Sequence, residues 1–65
     1  MSNLNDIIAD INDKIRGITE MRESLFELYK NCDDSQKREH YMEALHLTHV
    51  AFEHLADAVD ELKEC

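Results

Sequence analysis

The chain has 65 residues, 43% apolar and 34% charged, with one Gly and no Pro, a balance that argues against both disorder and an all-β fold. Its formal net charge of -8, from 15 acidic against 7 basic side chains, argues against broad binding to DNA, RNA or an anionic membrane, since those partners need a basic footprint. A local basic pocket stays possible, but a chain this short buries little of its own surface, and oligomerisation is the expected remedy.

No apolar run approaches the roughly 18 to 20 residues of a membrane span, and Met1 to Asp6 lacks the basic and apolar regions of a secretory signal. A cytoplasmic protein without membrane contact is therefore expected.

Helix one is expected over residues 3–31. Ser2 and Asn3 offer N-cap side chains, and Asp6 places a negative charge where the helix dipole favours it. The row Leu4, Ile11, Ile18, Leu25 and Cys32 holds a seven-residue period, and Ile7, Met21 and Leu28 supply the second row of a heptad seam, interrupted by Lys14. A flanking row adds Ile8, Ile15 and Tyr29, interrupted by Arg22. Asp6, Asp13, Glu20 and Glu27 mark the solvated face. Gly17 costs this helix about 1 kcal/mol relative to Ala, either tolerated or matched by a close backbone approach.

The pattern stops at Asn31 to Ser35, where short polar side chains compete with helical hydrogen bonds, and Asp33 stands at capping-box spacing from Gln36. A turn at residues 32–35 makes the two helices antiparallel neighbours.

Helix two is expected over residues 35–64. From Met42 to Leu62 it has neither Gly nor Pro; Leu45, Phe52 and Val59 form one row, and Tyr41, Thr48, Leu55 and Leu62 a second. Ala44, Ala51 and Ala58 make a flank of small side chains that a neighbouring backbone can approach. Lys37 and Arg38 at its start and Asp57, Asp60, Glu61 and Glu64 at its end run against the helix dipole. In such a hairpin Cys32 lies at the turn and Cys65 at the open end, about 40 Å apart at 1.5 Å per residue, so both are expected as reduced thiols.

The apolar surface is wider than one seam, with Ile15 and Tyr29 flanking helix one, Met42, Ala56 and the alanines flanking helix two, and Phe26, Leu47 and Val50 further round. The expected fold is therefore all-α: a two-helix antiparallel hairpin that oligomerises with its own copies into a four-helix bundle or larger helical assembly.

Glu43 and His46 match the Glu-x-x-His spacing of a di-metal bundle, and His46, His49 and Glu53 repeat at one-turn intervals. The acidic residues of helix one fall outside its apolar rows, however, and no metal or other cofactor is expected. No Gly-rich loop or sharp turn is present to form an oxyanion hole, so no catalysis is expected either. The residues that interrupt the apolar rows are more informative. If the turn is centred near residues 33 and 34, Arg22 lies near Leu45 to His49 and Lys14 near Phe52. Lys14, Arg22, Tyr41, Thr48, His49 and Phe52 then form a candidate ligand site, cations for phosphate and rings for a base. The alternative is that the two cations snorkel to water or pair with carboxylates across a chain interface.

The stretch Ala51-Phe52-Glu53-His54-Leu55-Ala56-Asp57-Ala58-Val59, preceded by Tyr41 and following a Gly-containing first helix, resembles the hairpin domain of phage anti-defence sponges. The shared pattern is a small residue, Phe, a spacer, Leu and a small or apolar close; it covers most of helix two, and helix one in pattern only. The resemblance implies an oligomer that sequesters cyclic nucleotide or cyclic ADP-ribose signals. Asp57 stands where that family carries an Arg near the end of the motif, so a phosphate contact there is not carried over. Length and an Asp-rich turn are also similar to Rop, the plasmid copy-number hairpin family whose dimers bind paired RNA loops. The corresponding face here carries Asp6, Asp13, Glu20 and Glu27, and the RNA function is not carried over. The expectation is thus a non-enzymatic oligomer that sequesters a small nucleotide; the alternative is an inhibitor or adaptor that docks an acidic helical face onto a host protein.

Overall fold

The computed structural model describes residues 3–65 and consists of two helices, α1 (Leu4–Lys30) and α2 (Ser35–Lys63), folded back on each other as an antiparallel hairpin. The result is a rod of 48 × 16 × 14 Å.

Both helix starts are capped by side chains. Asn3 has extended backbone and its Oδ1 accepts the Asp6 N–H at 2.9 Å. At α2 the cap is Asp34, one residue beyond the expected Asp33, and its Oδ1 accepts the N–H groups of Gln36 at 2.9 Å and Lys37 at 3.2 Å. Asp33 and Asp34 are chemically the same; the extended backbone of Asp34 is what aims its carboxylate over the first turn. The connection occupies residues 31–34, with the Asn31 N–H still donating to the Glu27 carbonyl at 3.2 Å.

The seam follows the seven-residue period on both helices. On α2 it comprises Tyr41, Leu45, Thr48, Phe52, Leu55, Val59 and Leu62, the two rows read from the sequence. On α1 it comprises Ile8, Ile11, Ile15, Ile18, Arg22, Leu25 and Tyr29, followed by Cys32, all partly buried. This corrects one expectation: the row of Ile7, Met21 and Leu28 lies outside the seam, 44%, 48% and 55% exposed, and the row of Ile15 and Tyr29 takes its place. Helix α1 carries three adjacent apolar rows, and one partner helix covers only two. The chosen row gives each of its polar members a partner on α2, whereas the other would press Lys14 against the Phe52 ring. Arg22 reaches Thr48 and Leu45, and the Arg38 guanidinium lies over the Tyr29 ring at 4.7 Å. That stacking also accounts for a cation at the start of α2, where the dipole disfavours it.

Interior is scarce. Among the described residues Val59 alone is buried, at 5% exposure, while Leu4, Phe26, Met42 and Leu47 stay exposed together with the Ile7 row. No helix among the described residues is long and apolar enough to cross a membrane.

Candidate functional site

The heptad register divides the outside of the hairpin into two flanks. One carries Thr19, Arg22 and Phe26 of α1 beside Leu45 of α2, where an open groove of about 410 Å³ is also bordered by Glu23. The other carries Ser24 and Leu28 beside Lys37 and Tyr41.

Arg22 is the centre of the first flank. It is partly buried in the seam, its Nε–H donates to Thr48 Oγ1 at 3.1 Å and its Nη2 donates to the Leu45 carbonyl at 3.1 Å. Thr48 is itself held, because its hydroxyl donates to the Ala44 carbonyl at 2.8 Å. Both partners of Arg22 are neutral. Among the described residues the ion pairs are Lys14 with Asp10, Arg16 with Asp13, Lys30 with Glu27 and His49 with Glu53, and Arg22 takes part in none. A chain with 15 acidic side chains therefore keeps a half-buried guanidinium with no carboxylate at ion-pair distance among the described residues. Hydrogen bonds to neutral oxygens orient the guanidinium without cancelling its attraction for an anion.

Of the six residues expected to form a site, four fall into two pairs. Arg22 holds Thr48; His49 follows in sequence and stacks on Phe52, with ring centroids 6.3 Å apart and planes 12° from parallel. His49 Nε2 is also 2.7 Å from Glu53 Oε1, an interaction that becomes an ion pair when the imidazole is protonated.

The other two lie elsewhere. Lys14 belongs to the exposed row of Ile7 and Met21, and its ammonium donates to Asp10 Oδ1 at 2.9 Å. That hydrogen bond, with the Asp10 charge, holds the Lys14 pKa above its usual value. Tyr41 borders the opposite groove with Lys37 and Leu28.

Phe26, one turn beyond Arg22 on α1, borders the same groove and stands outside the six expected residues. The four-residue spacing of Arg22 and Phe26 was the available signal. Phe26 stacks with Tyr29 at 6.2 Å between centroids and carries the Lys30 ammonium over its ring at 5.4 Å. The end of the groove nearer the turn is thus an aromatic surface with cations at its edge.

Among the described residues no three His, Cys, Asp or Glu side chains converge as a metal site, and His46 and Glu43 join no such cluster. Set against models of protein families, curated proteins and solved structures, the chain shows no significant match to any, so the reading of its site rests on its own residues.

Proposed function

We propose that this chain is a non-enzymatic, self-associating binding module that takes up a small anionic nucleotide on the Arg22 flank. The observation that carries this reading is the half-buried Arg22 guanidinium, oriented by Thr48 and Leu45, with no carboxylate at ion-pair distance among the described residues. A phosphate supplies the negative charge through charge-assisted hydrogen bonds, and a base stacks on the Phe26 ring or on the His49–Phe52 pair. Glu23 at the groove border opposes a second phosphate and favours a ligand with few charges. Sequestration of a cyclic nucleotide signal, as the sponge resemblance implies, is the biological form this binding takes.

A thermal-shift panel of cyclic dinucleotides, cyclic trinucleotides and cyclic ADP-ribose isomers tests the proposal. A ligand at 100 times its Kd stabilises the native state by about 2.7 kcal/mol, a shift of about 10 °C or more for a domain of this size. That shift disappears in Arg22→Leu. If no member of the panel moves the melting temperature at millimolar concentration, nucleotide binding is refuted.

One observation favours a second reading. Asp6, Asp13, Glu20 and Glu27 are all exposed along one side of α1, a surface that suits docking onto a basic host protein. Capture of a single partner from a bacterial lysate, lost on raising the salt and insensitive to Arg22→Leu, supports this reading over nucleotide binding.

A further inference from the structure

The hairpin exposes more surface than a folded chain of its mass should. Its accessible area is 5178 Å². A folded monomer of 7.6 kDa is expected to expose about 4300 Å², an excess of about 900 Å², close to the roughly 800 Å² that each partner contributes to a stable complex.

That excess is not evenly spread. Ile7, Met21 and Leu28 form one straight row down α1, interrupted by Lys14 with its Asp10 partner, and Leu47 stands beyond the alanine row on the same side of α2. Between them runs the row of small side chains Ala44, Ala51 and Ala58 of α2, while Gly17 of α1, level with Ala51, stands just beyond the Ile7 row. A Cβ at Gly17 would meet nothing within 4 Å, so no neighbour inside the hairpin requires a glycine there. The opposite flank exposes only Phe26 and Met42 among its large apolar side chains, and it contains the charge of Arg22.

We infer that a second copy of this chain packs on the flank formed by Ile7, Met21, Leu28, Leu47 and the alanine row between them, the large side chains of each copy settling over the small ones of the other. The inference deepens the self-association in the proposed function and does not depend on its ligand. The occupant is a second copy because the missing area matches one symmetric partner, and because the strip is apolar along most of its length. Two acidic chains meet there without setting their carboxylates face to face. The Arg22 groove faces away from this contact, so each dimer presents two grooves on its outer sides.

Light scattering after size exclusion, without ligand, tests the inference with a matched pair of substitutions. Met21 and Met42 are 48% and 54% exposed, and each is replaced by Lys. The wild type is expected at twice 7.6 kDa or a higher multiple. Met21→Lys is expected to weaken association at least tenfold and Met42→Lys to leave the mass unchanged. Loss of helix in Met21→Lys supports the inference as well, because a side chain already in solvent within the hairpin unfolds it only through a lost interface. A wild type at 7.6 kDa overturns it, as does a Met42→Lys variant that dissociates as readily as Met21→Lys, or a Met21→Lys variant that keeps the wild-type mass. Failure here leaves the nucleotide reading standing, since that is decided by the Arg22-dependent thermal shift.

Discussion

Replacing Arg22 by Leu is expected to stabilise the protein. The two acceptors of the guanidinium do not become orphans: Thr48 Oγ1 still donates to the Ala44 carbonyl at 2.8 Å, and the Leu45 carbonyl keeps its place in the helix ladder with the Thr48 hydroxyl 3.1 Å away. The penalty of about 1 to 3 kcal/mol for an unsatisfied buried group is therefore not incurred. What is lost is the modest net value of two hydrogen bonds. What is gained is release of a half-desolvated charge and an apolar side chain that continues the row of Ile8 and Ile15 opposite Leu45. Full burial of Leu contributes about 1.5 to 3 kcal/mol, and this seam is half open, so the net gain is about 1 kcal/mol. For a domain of this size that corresponds to a rise in melting temperature of about 4 to 8 °C. Circular dichroism at 222 nm during heating reads it, with variant and wild type at one protein concentration because association shifts the midpoint. A fall of more than about 4 °C would refute the reasoning and make Arg22 a structural clamp whose hydrogen bonds hold the helices together.

Val59→Ala removes two methyl groups from the one buried position among the described residues and is expected to cost about 2 kcal/mol, read as a lower urea midpoint at unchanged slope. Asp34→Ala is expected to cost about 1 kcal/mol through loss of the cap on Gln36 and Lys37, and Asp33→Ala much less; equal effects would show that the cap is shared. Arg38→Ala is expected to cost about 0.5 to 1 kcal/mol by removing the cation from the Tyr29 ring, whereas Arg38→Lys keeps part of that value. A melting temperature raised by Arg38→Ala would show that the dipole term at the start of α2 dominates.

The hairpin, its turn and the heptad rows of α2 were legible because period and punctuation agree there: no Gly or Pro interrupts the rows, and Asn31 to Asp34 end the pattern cleanly. The facing of Arg22 with Leu45 and Thr48 followed from the same geometry, since the turn fixes which positions are level. The choice of row on α1 was not legible. Three rows of apolar residues are adjacent there, and the decision between them depends on which interruption, Lys14 or Arg22, finds a partner across the seam. Periodicity treats both as equal defects. Once Arg22 is inside, Lys14 is necessarily outside and falls to Asp10, which is why one cation of the expected pair joins the site and the other does not. Tyr41 was separated because, although it shares the seam row of Thr48, it stands one heptad nearer the turn, beside Leu28, Cys32 and Lys37.

The two free thiols stand near opposite poles of a rod 48 Å long, Cys32 at the bend and Cys65 beside the open end. That placement is a built-in ruler. Spin or dye labels on both sulfurs report the end-to-end length of α2, and so its unfolding, without a single engineered residue. Mild oxidation distinguishes copies that lie with their bends together, which link Cys32 to Cys32, from copies lying head to tail, which link Cys32 to Cys65.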